Sequence, residues 1–442
     1  MKKYLLLSAM LLGLSGCALY KQYESTSKAP EALMGEGVEA GESMAAVPWR
    51  TFFPDAMLQA LIQEGLEHNN NLKISALNME IAEVSLQTAR LAWLPSLNLT
   101  PSLQYQGSAA SYNAGAALQW DLDFFGGITS RRRQAKALLA QAKDEKTAVQ
   151  TRLVADIANG YHMLQMQDRQ LDLMDQAIVL WEQSLAIQRT LMENGKAYST
   201  SVNQMEASLL EVRAQRADLA NDMRDTENAL CVLLGRTPGH IEREPMAHFI
   251  LPAEVGVGFP GDLLRNRADI RAAEHGIENA YYVQQEALSN FFPKITLGGN
   301  IGLAGVIGSP AGLAYSAIAS LAQPLFGQGR IRGNYKTAQM RQEQAREQFI
   351  GTVLKAGSEV NSLIADCETA ARKAEIFGRQ IDVLQKAFDG THELMKNGKA
   401  NYLEVITAQE AFLKAQLSEV ANTFNGNQAL INLYIALGGG VE

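Results

Sequence analysis

Cysteine and proline are scarce in this 442-residue chain, with three of the first and 12 of the second. Cys17, Cys231 and Cys367 stand far apart, so no Cys-x-x-Cys pair suggests a metal site and no disulfide framework can be drawn. Long apolar runs are missing too. The run from Tyr4 to Leu14 falls well short of the roughly 20 residues a membrane-spanning helix needs, and no later segment is long and uninterrupted. Basic charge is in the minority: the net charge of −8 argues against a nucleic-acid partner. His68, His162, His240, His248, His275 and His392 are scattered without metal-ligand spacing such as His-Glu-x-x-His. Gly327-Gln328-Gly329 opens like a dinucleotide-binding loop, but Arg332 stands at the third glycine position and no βαβ unit surrounds it. Gly298, Gly299, Gly302 and Gly305 fall in a strand pattern rather than a phosphate loop. These absences point to a chain that is not an enzyme and carries no cofactor.

The N-terminus carries the first positive signal. Lys2 and Lys3 precede a short apolar stretch that ends in Leu14-Ser15-Gly16-Cys17, the layout of a secretory signal over residues 1–16. A cysteine directly after Leu-Ser-Gly resembles the bacterial lipobox, which implies cleavage before Cys17 and acylation of its thiol. Ala18, where an Asp is absent, resembles lipoproteins sent on to the outer membrane. Residues 17–53 then read as a polar, extended, acylated segment.

The chain also repeats itself. Leu191-Met192-Glu193-Asn194-Gly195-Lys196-Ala197 recurs as Leu394-Met395-Lys396-Asn397-Gly398-Lys399-Ala400. Trp93-Leu94-Pro95 recurs as Phe291-Phe292-Pro293. Phe125-Gly126, with Arg131, Arg132 and Arg133 after it, recurs as Phe326-Gly327, followed by Arg330 and Arg332. The order is the same each time, which marks a tandem duplication. The first repeat covers 54–235 and the second 262–438. A Pro/Gly-rich connector at 236–261 joins them, and 439–442 form a tail.

Each repeat reads as helix, β-hairpin, very long helix and shorter return helix. In the hairpin at 97–125, Leu97, Leu99, Leu103 and Tyr105 share one face, and Asn98, Thr100, Ser102, Gln104 and Gln106 share the other. After a turn near Tyr112, Ala114, Ala116, Leu118, Trp120, Leu122 and Phe124 resume the alternation. Period-two alternation over about 10 residues is the pattern of a transmembrane β-strand, apolar to lipid and polar to a lumen. Pro101 interrupts it and removes one ladder donor. The second hairpin, 294–326, has Ile295, Leu297, Ile301 and Leu303 against Lys294, Thr296 and Asn300, with a less regular, Ala-rich fourth strand. The long helices carry sustained seven-residue spacing: Ile157, Leu164, Leu171, Ile178, Leu185 and Met192 in one, Val353, Val360, Cys367, Ala374, Ile381 and Phe388 in the other. Such spacing winds helices into left-handed coiled coils. A helix of about 65 residues would run to roughly 100 Å.

Four strands cannot close a barrel, and an open sheet edge in lipid is prohibitive. Sister subunits must therefore supply the rest. Two would give eight strands, with an interior filled by side chains; three would give twelve and room for a pore.

The duplicated layout, together with Trp120-Asp121-Leu122-Asp123-Phe124-Phe125-Gly126, Asp269-Ile270-Arg271-Ala272-Ala273-Glu274 and Phe291-Phe292-Pro293-Lys294-Ile295, resembles the TolC-like outer-membrane efflux proteins. The lipobox is similar to that of their lipoprotein branch, the OprM/NodT-like proteins. The likeness spans essentially the whole mature chain, with Ala268 standing where the family often has proline. It implies an α+β membrane protein: a homotrimer with a 12-stranded β-barrel in outer-membrane lipid, continued by an α-helical coiled-coil tunnel in the periplasm. It implies as partners a periplasmic adaptor (membrane fusion) protein and an inner-membrane RND-type transporter, with small molecules as cargo. A duct for an ATP-driven protein secretion system and a poreless structural strut are the alternatives.

The same resemblance makes Gly398–Thr407 a periplasmic gate segment, in which Glu404 matches an acidic ring position while Thr407 stands at a second. Three converging carboxylates would attract cations. It places adaptor contacts at the turns Asn194-Gly195-Lys196-Ala197 and Asn397-Gly398-Lys399-Ala400. Arg131, Arg132 and Arg133 are assigned no role.

Overall fold

A computed structural model describes residues 21–25, 44–106, 109–246, 260–307, 310–323, 328–397, 399 and 401–441. Its main elements are α1 (Ala56–His68), α2 (Asn70–Leu91), β1 (Ser96–Leu99), β2 (Ser102–Gln106), β3 (Ala109–Leu122), α3 (Gly127–Glu193), α4 (Ser199–Leu234), α5 (Pro260–Asn266), α6 (Ala268–Ser289), β4 (Lys294–Val306), β5 (Gly312–Ala322), α7 (Arg330–Lys396) and α8 (Tyr402–Ala436). No helix among the described residues is long and apolar enough to cross a membrane. The chain divides into two compact units. One holds the N-terminal residues up to Lys28, Ser75–Lys146 and Ala268–Val353; the other holds Ala29–Ile74, Thr147–Arg267 and Leu354–Glu442.

The first unit contains an antiparallel sheet in the order β1-β3-β4-β5, with β2 also on β3. β1 and β2 are one extended stretch interrupted at Thr100-Pro101, because Leu99 faces Ala116 and Ser102 faces Asn113 without a slip in register. The Thr100 N–H still donates to the Gly115 carbonyl at 2.8 Å. Backbone groups alternate sides along an antiparallel ladder, so the donor that Pro101 lacks belongs on the open edge, where proline is tolerated. The sheet is thus four positions wide. The hairpin turns between Gln106 and Ala109; Tyr112, expected near the turn, lies inside β3, opposite Leu103 and Gly305. Ala109 and Ala110 carry too little side chain to announce a strand. Phe124 and Phe125 fall beyond β3, because Asp123 leaves the ladder to cap α3: its carboxylate accepts from Ile128 N (3.0 Å), Thr129 N (2.7 Å) and Thr129 Oγ1 (2.7 Å). β5 likewise ends at Ala322, and Phe326-Gly327 lie outside the described residues.

Both long helices span 67 residues. Every member of the two seven-residue series is buried or half-buried. Cys231 and Cys367 are free and buried, and burial pushes the Cys367 thiol up to about 11. In the second unit, Leu58, Ile62, Ile157, Tyr161, Leu164, Leu230, Leu234 and Tyr434 share one core. Trp181, Leu185, Val202, Met205, Leu209, Val405 and Leu413 share another.

The single helix expected ahead of each hairpin is two helices in both repeats. Asn69 divides the first pair: its Nδ2 donates to the Leu233 carbonyl at 2.8 Å and its Oδ1 accepts from Leu72 N at 2.9 Å. Arg267 divides the second pair and donates to the Ala436 carbonyl at 2.9 Å. The return helices end alike as well. Gly235 and Gly438 have φ of +70° and +99°, and a Cβ on either would sit 2.5 Å from His68 O or 2.7 Å from Asn266 Cβ. Only glycine fits a left-handed residue against such a neighbour.

Candidate functional site

Register sorts the side chains of the sheet into two faces. Leu97, Leu99, Leu103 and Tyr105 lie opposite Leu118, Ala116, Tyr112 and Ala110. The same face continues with Trp120 opposite Leu297, Leu122 opposite Ile295, Ile301 opposite Tyr315 and Leu303 opposite Leu313. The other face carries Asn98, Gln104, Ser111, Asn113, Gln119, Asp121, Thr296, Asn300, Ser316 and Ser320, with Val306 and Ile318 as its large apolar exceptions. On it Thr296 Oγ1 donates to Asp121 Oδ1 at 2.8 Å.

The apolar face is uncovered: Leu99 is 83% exposed and Tyr315 81%. In water a face of this extent marks an interaction surface; against hydrocarbon it is the favourable one. The polar face is also shallow. Gly115 opposes Gly302 across β3 and β4, and a Cβ at Gly302 would lie 2.4 Å from Gly115 Cα. The outer edges of β1/β2 and β5 are unpaired among the described residues. A third exposed feature went unnoticed in the sequence. Along α2, Ile74, Leu77, Ile81, Val84 and Leu91 follow three-, four- and seven-residue spacing, and each is more than half exposed. The periodicity was available there, in a helix much shorter than α3 and α7.

Glu404 and Thr407 both lie exposed in the first turns of α8. Glu404 also forms a capping box. The Asn401 side chain accepts from Leu403 N at 3.2 Å, and the Glu404 carboxylate accepts from Asn401 N at 3.4 Å. Its carboxylate therefore has a helix-starting role whatever else it faces.

The first turn is a Schellman closure. Gly195 has φ +69°, its N–H donates to Met192 O at 2.9 Å, and Lys196 N–H donates to Leu191 O at 2.8 Å. Asn194 Nδ2 donates to Thr190 O at 2.7 Å. The second turn repeats this chemistry: Lys399 N–H donates to Leu394 O and Asn397 Nδ2 to Glu393 O, both at 2.9 Å. Gly398 and Ala400 lie outside the described residues, as does Cys17. Lys196 and Lys399 are brought to matching positions; Ala197 follows the first closure.

The connector is held by side chains the sequence did not reveal. Arg243, 5% exposed, binds Asp168 (Nη2–Oδ1 2.8 Å) and Glu227 (Nη1–Oε1 2.8 Å), and its guanidinium holds the Glu227 carboxyl below its ordinary range against the burial that raises it. Tyr161 donates to Asp55 at 2.5 Å and accepts from Glu244 N at 3.0 Å. The described part of the connector, 236–246, is irregular, and α5 begins at Pro260. No group of three or more metal-ligating side chains occurs among the described residues.

The sequence profile of the outer membrane efflux protein family matches residues 61–236 and again 259–439. The chain belongs to that family. This efflux protein is 28% identical over 473 residues to the toluene efflux pump outer membrane protein TtgF of Pseudomonas putida, covering 100% of this chain and 97% of the relative. It is 26% identical over 407 residues to the probable outer membrane lipoprotein SilC of Salmonella typhimurium, covering 89% and 88%. Its fold is that of the outer-membrane channel OprN, with a TM-score of 0.86 at 21% identity over 96% of this chain and 100% of that one. The outer membrane protein VceC of Vibrio cholerae superposes with a TM-score of 0.80 at 25% identity over 89% and 99%. This chain is an outer-membrane efflux channel component with a TolC-like fold.

Proposed function

We propose that this efflux protein is the passive exit duct of a tripartite system, and that three copies close one twelve-stranded barrel. The observation that carries this is the sheet: one apolar exposed face, one polar face of small residues, and two edges unpaired among the described residues. A four-position sheet with open edges cannot stand in lipid alone, and three such sheets give a barrel wide enough for a pore. The α2 stripe supports helix-to-helix contact between copies. The division into two repeats at 54–235 and 262–438 rests on the doubled element order, the doubled caps and the doubled profile match.

The partners in this reading are a periplasmic adaptor at the turns around Asn194–Ala197 and Asn397–Ala400, and an RND-type inner-membrane transporter. Acylated Cys17 would add a lipid anchor. The relatives' names mention toluene for one and cations for another, which fits a duct whose cargo is chosen upstream.

Glu404 is read as the gate carboxylate, with Thr407 one turn on. Because Gln also completes a capping box, Glu404→Gln removes the charge and keeps the helix start. In planar bilayers the unaltered channel should conduct, prefer cations and be blocked by a trivalent cation. The variant should need about tenfold more blocker, as loss of a shared charge site implies. Absence of conductance would sink the duct reading; unchanged block would sink the gate assignment alone.

A further inference from the structure

Arg133 and the pair Tyr281-Tyr282 hold a piece of the chain that has no regular structure of its own. The Lys21 carbonyl accepts from Arg133 Nη1 at 3.3 Å and from the Tyr281 hydroxyl at 3.4 Å. Two residues on, the Tyr23 N–H donates to the Tyr282 hydroxyl at 3.3 Å. The Tyr23 ring lies 5.9 Å from that of Tyr281, which meets Tyr282 edge-on at 5.3 Å, and the Arg133 guanidinium stands 5.7 Å over the Tyr282 ring. All of these residues belong to the first unit. Ordering irregular residues costs conformational entropy, so such a segment stays in place only where something receives it. Here the receiver is two helices, α3 and α6, whose groups address backbone atoms at Lys21 and Tyr23, while the Tyr281 ring of α6 meets the Tyr23 ring at a tilt of 54°.

We propose that Arg133, Tyr281 and Tyr282 form a seat for the protein's own N-terminal segment, fixing the point from which the lipid anchor is tethered. The second half rests on the reading of Cys17 as the acylated residue. Cys17 precedes Lys21 by four residues, a span of at most about 14 Å when fully extended. Arg133 is six residues into α3, about 9 Å along the helix from its start, and Tyr281 is eight residues from the end of α6, about 12 Å. The seat therefore lies within two to three helical turns of the ends that lead from β3 and into β4. An acyl chain held there enters lipid beside the strand ends rather than at the limit of a loose leash. This gives Arg133 a role that the run Arg131-Arg132-Arg133 did not disclose in the sequence, while Arg131 pairs with Glu286 at 2.5 Å.

The test is hydrogen–deuterium exchange of the purified full-length protein, read at the Tyr23 amide, with α6 amides as the folding control. Tyr282→Phe removes only the hydroxyl that accepts from Tyr23, and Arg133→Gln removes the guanidinium from Lys21. Each should speed exchange at Tyr23 about tenfold, the loss expected when one protecting contact goes, and leave α6 unchanged. Tyr23 exchanging at the free-peptide rate in the unaltered protein, or unaffected by both variants, overturns the seat. The mass of the Cys17 peptide decides the other half separately: an acylated mass supports the tether, and an unmodified one removes it while leaving the seat to stand on the exchange data.

Discussion

His275 sits between two carboxylates, with Nδ1 at 3.1 Å from Glu278 and Nε2 at 3.5 Å from Asp144, while Arg271 also binds Asp144 at 2.8 Å. The hydrogen bond to Glu278 is the main reason its pKa is raised; burial opposes it, and the charges of Glu278, Asp144 and Glu274 add to it. A histidine whose folded pKa lies above its unfolded value contributes stability that is fully present below the unfolded value, near 6.5, and is lost as pH rises through the folded one. His275→Gln should therefore lower the thermal midpoint more at pH 5.5 than at pH 8.5. The difference should be about 1 °C, given the partial exposure of the group; equal losses at both pH values would contradict the ion pairing. His162 runs the other way, since burial lowers its pKa. Little at this scale was legible in the sequence. Tyr161, Arg243 and Arg271 find their carboxylate partners 106, 75 and 127 positions away, and no local pattern announces such pairs. The turn at Asn194-Gly195-Lys196-Ala197 was legible, because a left-handed closure leaves its signature within about six residues.

At the scale of elements, alternation and seven-residue spacing carried the reading, because the two faces of a pleated strand impose the first and burial along a long helix imposes the second. What they missed are places where one residue overrides a pattern: Asn69 and Arg267 each split an expected helix, and Asp123 ends a strand whose alternation runs on to Phe124. The two-faced sheet makes a sharp prediction. Leu303→Arg, on the apolar face, should cost about 2–4 kcal/mol in lipid and sharply lower the amount of assembled channel in outer-membrane fractions. Asn300→Arg, three residues away on the polar face of the same strand, should assemble normally and change conductance instead. Similar assembly of both variants would contradict the assignment of faces. The long helices end in matched turns, and Ala197→Trp should abolish export while leaving the assembled channel at its normal level; retained export would count against an adaptor contact there.

At the scale of the whole molecule the TolC-like fold was legible, because the order of helices and strands concerns the entire chain. The same element order, used twice, builds one sheet from two hairpins, and that sheet and the α2 stripe both stay uncovered among the described residues. The copy number that would satisfy them was open to the physics, which required more than one and favoured three; three is also the number that the resemblance to TolC-like proteins implies. Native mass spectrometry of the protein extracted intact from the outer membrane tests this most directly. The account predicts a dominant species of three copies that persists until the detergent is stripped. A single copy, or a stable pair with no larger species, would contradict it.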